Sequence, residues 1–241
     1  MSPTNGGDER LAETLRGLGA PGASVPPLHP DLERELGSLQ AVSPRRPLRQ
    51  LALFSLVSLS VAGGLLAVLT LRRDLELLPR AWLIAYSAGW FLGFLGLGAL
   101  ALLPARHQVS PRWRAAGIAA LGAGAAFVVV GLLLARSTTE STMAPATAGG
   151  LWDFGRACLS LGLVTAITPV LLGTLFLRGA APVGARWVGW ALGAAGGALG
   201  GLLLHLHCPI ADHLHLGVIH GGVVVIAGLL SALIVDRLLR P

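Results

Sequence analysis

The sequence contains no lysine, only two cysteines and few charged residues, which make up 12% of its 241 residues. A soluble domain carries about 25% charged residues, so this chain cannot cover a water-exposed surface, and a soluble globule is excluded. Two cysteines are too few for a disulfide-rich secreted scaffold. Hydrophobic residues are in excess, at 54% with a mean hydropathy of +0.71. This composition is typical of an integral membrane protein, and it also excludes a coiled coil and a chain disordered throughout.

The basic residues are all arginines, and they give a net charge of +6. No basic block is longer than two residues, and most arginines outside the N-terminal region flank apolar runs. Arginines in that position act as topology anchors at the membrane surface. Membrane lipid is therefore an expected partner, and nucleic acid is not.

Residues 1–47 form a separate, proline-rich region. It has no apolar stretch typical of a cleaved signal peptide. A short amphipathic segment places three leucines on one face, and such a segment is too short to be stably helical alone. Two interpretations remain open, a docking helix that folds on a partner and a tethered disordered tail. We expect a mostly disordered cytoplasmic tail whose docking leucines are Leu32, Leu36 and Leu39.

Residues 48–241 contain six apolar stretches of the length that spans a bilayer, about 20 residues each. Because backbone polar groups cannot stay unpaired in lipid, each stretch should be an α-helix. A β-barrel would need short strands of alternating hydrophobicity, and these runs are continuous. The sequence predicts an all-α integral membrane bundle of six transmembrane helices, with spans near 51–71, 82–103, 115–135, 157–177, 187–206 and 216–235.

Arginine counts predict the orientation of the bundle. With the N-terminus inside, cytoplasmic span ends hold ten arginines and external ends hold five, which favours both termini in the cytoplasm. The first external loop, with Arg72, Arg73 and Arg80, runs against this rule.

The spans carry no charged residue near their centres, which argues against an ion-coupled transporter or a channel. The fifth span carries glycine at every fourth position, a pattern that lets another helix approach closely. The partner helix could belong to the same chain or to a second copy in a homodimer. The four glycines are Gly189, Gly193, Gly197 and Gly201.

The two cysteines, Cys158 and Cys208, fall at the predicted outer ends of the fourth and fifth helices. Neighbouring antiparallel helices would bring both thiols to one depth, on the oxidising side of a bacterial membrane. A pair and two independent buried thiols are both compatible with these positions.

Five histidines lie close together next to Cys208 and Asp212. Imidazole and thiolate are ligands of Zn and Cu, so this segment is a candidate metal or haem contact. Its spacing matches no standard zinc signature, and interfacial histidines that hydrogen-bond the loop backbone are the alternative. No cofactor is certain, and Zn or Cu is the candidate. The five are His205, His207, His213, His215 and His220.

Several of these features together resemble a known family. Gly155-Arg156-Ala157-Cys158-Leu159 begins the fourth span, Arg178-Gly179-Ala180-Ala181-Pro182 follows it, and Leu206-His207-Cys208-Pro209 ends a Gly- and Ala-rich fifth span. The chain resembles the NrsF-like anti-sigma factors, six-span proteins of the bacterial inner membrane that sequester an extracytoplasmic-function sigma factor. The resemblance implies a sensing role for Cys158 and Cys208. Ile210 after Cys-Pro, and His215 and His220 in place of aromatic residues, depart from the family pattern.

The leading functional prediction is a non-enzymatic regulator. Its tail would hold a sigma factor until a redox or metal signal at the outer face changes the bundle. The alternatives are a metal- or haem-binding membrane protein for uptake or electron transfer, and a purely structural bundle. No arrangement of catalytic residues is visible in the sequence.

Overall fold

The computed structural model describes residues 13, 31, 46–104, 112–134, 148–178 and 184–239. In the fourth helix the side chains are described from residue 155 onward. The predicted docking leucines Leu32, Leu36 and Leu39 lie outside the described residues. The helical region belongs to one compact unit, Arg46–Pro241.

Six long helices make up the described part of this unit, and it contains no strand. All six are long and apolar enough to cross a membrane, so the prediction of an all-α six-helix membrane bundle is confirmed. The chain is a multi-pass membrane protein. The helices are α1 (Pro47–Leu69), α2 (Arg80–Leu102), α3 (Trp113–Leu134), α4 (Ala148–Leu177), α5 (Ala185–His207) and α6 (Gly221–Leu239), and a π-helical turn, His215–His220, leads directly into α6.

Helix α5 lies at the centre of the bundle. In the most apolar 18-residue stretch of α5, 83% of the residues are buried, whereas the corresponding stretches of the other five helices are 17–50% buried. It packs against α2, α3, α4 and α6. Its many glycine and alanine residues explain this position, because small side chains let several helices approach one axis at once. Large apolar side chains such as Val68 and Leu133 instead point outward, 83% and 71% exposed, as a lipid-facing surface requires.

The glycine ladder of α5 is covered by helices of the same chain. A Cβ on Gly197 would lie 2.5 Å from Val224 Cα, and one on Gly189 would lie 2.9 Å from Ala232 Cα, both on α6. Gly193 also faces α6, whereas Gly201 faces the ring of Trp90 on α2. The ladder therefore serves packing within the chain, and the homodimer stays a prediction that needs another surface.

Candidate functional site

One end of the bundle brings together the end of α3, the start of α2 and the segment between α5 and α6. The Trp82 indole N–H donates to the carbonyl of Leu134 at 2.8 Å, and His213 Nδ1 lies 2.7 Å from the carbonyl oxygen of Leu132. Both cysteines lie at the same end, which we call the cysteine end. These contacts hold the start of α2, the end of α3 and the segment between α5 and α6 together.

The two cysteine thiols are in contact at this end. Cys158, in the first turns of the membrane-spanning part of α4, is half-buried, and Cys208, directly after α5, is 3% exposed. Their sulfur atoms are 3.6 Å apart, and both thiols are free. The sequence was compatible with a thiol pair and with two independent thiols. The observed distance is that of a pair.

The hydrogen bond that the Cys158 thiol donates to the Cys208 sulfur lowers the pKa of Cys208 below its ordinary value. His215 and His220 also lower the pKa of Cys208, whereas burial raises it. A lowered pKa favours the thiolate form of Cys208, and the thiolate is the form that attacks electrophiles and binds metals.

Two of the five histidines join the thiol pair. His215 Nε2 lies 3.4 Å from the Cys208 sulfur, and the imidazole of His220 meets that of His215 edge-to-face at 5.0 Å between ring centroids. Each of the four residues offers one ligand atom, and these atoms all lie within 4.8 Å of one another. We call Cys158, Cys208, His215 and His220 the tetrad.

The π-helical turn brings the two tetrad histidines together. In an α-helix of 3.6 residues per turn, side chains five positions apart point about 140° away from each other. A π-helix pairs residues five apart along the axis, as the bond from the Gly221 N–H to the Leu216 carbonyl shows. The Asp212 carboxylate accepts the backbone N–H of His215 at 3.0 Å and fixes the start of the turn. The sequence interpretation, which considered only α-helix and loop, could not find this arrangement.

Two other histidines tie loops together and lie outside the tetrad. His207 Nδ1 lies 2.9 Å from the carbonyl oxygen of Thr70, and His213 makes the contact with Leu132 described above. The structure therefore does not bring these two predicted metal ligands into the cluster. They follow the alternative from the sequence, histidines that hydrogen-bond the loop backbone.

His205 occupies a third environment. It is fully buried against the rings of Trp82 and Tyr86, at centroid distances of 5.0 and 5.3 Å, and these two rings also contact each other. It was predicted as a metal ligand, and it does not belong to the tetrad. Its role here is to fill the aromatic contact between α2 and α5.

A buried arginine locks the first loop onto the end of α5, a feature that sequence reasoning missed. Arg72 donates to both carboxylate oxygens of Asp74, at 2.6 and 2.7 Å, and also to the carbonyls of Pro209, at 3.0 Å, and His205, at 3.4 Å. The backbone N–H of Arg72 donates to the carbonyl of Leu206. Carbonyls at a helix C-terminus lack intrahelical partners and attract cations. We call this group the Arg72 clamp.

The clamp accounts for Arg72, one of the arginines that run against the arginine rule in the predicted orientation. Its side chain is 0% exposed, so its charge serves the interior of the bundle and carries little information about the membrane surface. The signal available in the sequence was an arginine on the unexpected side with Asp74 two residues later.

The four ligand atoms of the tetrad lie close together, and the Arg72 clamp holds the adjacent first loop against the segment after α5. The tetrad is therefore the candidate functional site. A family model described as "Negative regulator of sigma F" (NrsF) matches residues 37–240. The chain belongs to the NrsF family. It is therefore a negative regulator of a sigma factor, and a sigma factor is its partner. No curated protein and no solved structure matches the chain.

The NrsF match includes the whole tetrad but only part of the predicted docking segment. It begins at residue 37, so Leu39 lies inside it, while Leu32 and Leu36 precede it. The residues upstream of this point lie outside the family match.

Proposed function

We propose that this NrsF-family chain is an anti-sigma factor of the bacterial inner membrane that holds an extracytoplasmic-function sigma factor through its tail. In this proposal a redox or metal signal at Cys158 and Cys208 releases the sigma factor. The chain acts by binding and release and catalyses no reaction. The observation that carries the proposal is the contact of the chain's two cysteines at 3.6 Å across two helices.

The contact between α4 and α5 supports transmission of such a signal. A Cβ on Gly196 of α5 would lie 2.8 Å from the carbonyl oxygen of Ala166 on α4, and Gly200 abuts the backbone of Gly162. Backbones that touch directly leave no side chains to absorb a displacement, and close-packed interiors transmit strain. A change in the sulfur–sulfur distance therefore shifts α4 along α5 as a body.

The redox form of the signal is the oxidation of two thiols to a disulfide. With hydrogen peroxide as the oxidant, two thiols and one peroxide give one disulfide and two waters. The Cys208 thiolate starts the reaction, since its pKa is lowered. A covalent bond needs the sulfurs closer than their present 3.6 Å, so its formation pulls α4 toward the end of α5.

The proposed orientation places the cysteine end outside and both chain ends in the cytoplasm, as the arginine count favours. This arrangement exposes the thiols to external oxidants and metals and leaves the tail beside the sigma factor. Reporter fusions at the two chain ends test it, and an external signal from either fusion would overturn the proposed orientation.

The functional experiment uses intact cells that contain the tagged full-length chain and its sigma factor. Peroxide is added, the chain is purified in detergent, and the retained sigma factor is measured by mass spectrometry beside a sigma-dependent reporter. Cys158→Ser and Cys208→Ser are compared with Ser160→Ala, which changes a lipid-facing side chain on the same helix as Cys158.

We expect the wild-type chain and Ser160→Ala to release the sigma factor after peroxide, and both cysteine variants to respond much less. Release by the cysteine variants at the wild-type level would refute the sensing role. Failure to recover any sigma factor from untreated wild-type membranes would refute sequestration itself.

A further inference from the structure

We propose that the tetrad, Cys158, Cys208, His215 and His220, is a tetrahedral binding site for one Zn²⁺ ion. A signalling role of this ion rests on the proposed function. The binding of the ion itself can be tested without any sigma factor.

The distances within the tetrad are those of a tetrahedral zinc site. Bonds of about 2.3 Å to sulfur and about 2.0–2.1 Å to nitrogen, at tetrahedral angles, put two sulfurs about 3.8 Å apart and a sulfur and nitrogen about 3.6 Å apart. The corresponding distances here are 3.6 Å between the sulfurs and 3.4 Å from the Cys208 sulfur to His215 Nε2. The whole set lies within 4.8 Å, so small side-chain shifts would complete the coordination.

An independent observation points to a ligand at this place. The His220 side chain is 0% exposed, and neither of its ring nitrogens makes a hydrogen bond of good geometry within the described part of the chain; the polar group beside it is the sulfur of Cys208. A buried polar atom without a good partner destabilises the folded state. A metal bond to one of these nitrogens removes the cost for that nitrogen, because its lone pair then has a partner.

The charge of the ligand set favours a divalent ion. Two thiolates carry two negative charges, and two neutral imidazoles carry none, so Zn²⁺ makes the site neutral. Three of the four ligands are at most 3% exposed, and a net charge in such a place is expensive. A monovalent ion such as Cu⁺ would leave one negative charge, and Mg²⁺ and Ca²⁺ prefer oxygen ligands.

The fourth ligand provides the route into the site. Cys158 is half-buried on α4, whereas the other three ligands are at most 3% exposed. An ion that enters past Cys158 meets the Cys208 thiolate directly behind it.

The binding experiment uses the reduced full-length chain in detergent, with Co²⁺ as a spectroscopic probe and then Zn²⁺ as a competitor. Tetrahedral Co²⁺ gives intense d–d bands, and each thiolate ligand adds sulfur-to-cobalt charge-transfer absorption. We expect these bands to saturate at a ratio of one Co²⁺ per chain and to disappear when Zn²⁺ displaces the probe.

The histidines of this region supply matched variants. His215→Ala and His220→Ala should weaken Zn²⁺ binding by more than about 100-fold, since the loss of an outer-shell partner alone costs about 10–100-fold. His207→Ala and His213→Ala, which remove histidines outside the tetrad, should bind as the wild type does. The unfolding temperature with and without Zn²⁺ shows which apo variants are folded.

A conservative variant separates loss of a ligand from damage to the fold. His220→Cys supplies a third thiolate, and Cys₃His is a known zinc ligand set. Because this variant adds one negative charge, we expect it to bind Co²⁺ more weakly than the wild type and more tightly than His220→Ala, with charge-transfer absorption per bound ion stronger by about half. A folded His220→Cys chain that binds Co²⁺ no better than His220→Ala would contradict the proposal.

The results separate this inference from the proposed function. If no tetrahedral bands form in the wild type, or if the control histidine variants lose them too, the zinc site is refuted, even when peroxide still releases the sigma factor. If the bands form and, among the four histidine variants, are lost only in His215→Ala and His220→Ala, the zinc site is established, even when the cysteine variants release the sigma factor normally and the sensing role fails.

Discussion

The Arg72 clamp predicts an unusual pattern of stability among single and double variants. The Arg72 side chain is 0% exposed and that of Asp74 is 12% exposed, and the guanidinium also donates to two backbone carbonyls beside the tetrad. We consider Arg72→Met, Asp74→Ala and the double variant. The exposed Arg73 next to the clamp provides the matched control, Arg73→Ala.

The expected magnitudes follow from which groups each variant leaves buried without a partner. Removal of one member of a buried ion pair costs about 3–5 kcal/mol, because the other charge remains. The partial exposure of Asp74 places Arg72→Met in the lower part of this range. The double variant leaves no buried charge and loses only the donors to two carbonyls, about 1–3 kcal/mol. The double variant should therefore be more stable than Asp74→Ala.

The measurement is unfolding of each variant by sodium dodecyl sulfate in mixed micelles, followed by tryptophan fluorescence. Arg73→Ala should stay within about 0.5 kcal/mol of the wild type, as surface changes usually do. Additive costs in the double variant would refute the buried-pair reasoning. A cost below about 1 kcal/mol for Asp74→Ala would show that the pair is hydrated.

Three further predictions concern the bundle, the thiols and the tail. Gly197→Ala should lower the free energy of unfolding in the same detergent assay, because the new Cβ would lie 2.5 Å from a backbone atom. The control Gly222→Ala, whose Cβ would have nothing within 4 Å, should not. Equal unfolding free energies for the two variants would contradict the packing. The rate of Cys208 alkylation, measured across a pH series, should rise at higher pH in Cys158→Ala than in Cys158→Ser, because serine keeps an O–H donor to the Cys208 sulfur. Identical pH profiles would contradict the hydrogen bond as the cause of the lowered Cys208 pKa. A tail with its three docking leucines changed to serine should no longer retain the sigma factor in the pull-down, since each buried leucine contributes about 1.5–3 kcal/mol; unchanged retention would exclude this docking surface, Leu32, Leu36 and Leu39.

The fold was predictable because a single physical requirement dominates it. Continuous apolar runs in lipid must satisfy their backbone groups internally, so the six runs specify six helices. Their ends were less well defined: α1 begins at Pro47 rather than near residue 51. Proline is favoured in the first turn of a helix, where its missing N–H would have no partner.

The candidate site was only partly predictable, since its members come together through irregular structure. The cysteines could be placed at one depth because each marks a helix end. His215 and His220 could not be paired, because α-helical spacing points them apart and only the π-helical turn aligns them. The sequence placed Arg72 in an external loop, and its burial beside Asp74 depends on how the loop folds over α5.

The distribution of the tetrad over the helices determines which part of the bundle a signal moves. Cys208, His215 and His220 belong to one short stretch of chain that the Arg72 clamp and the Asp212 bond hold at both sides. Cys158 alone comes from α4. In the proposed mechanism, metal binding or oxidation at the tetrad leaves the three held residues in place, and the displacement passes to α4. The backbone contact of α4 with α5 at Gly196 would then direct this displacement along the helix toward its far end at Leu177.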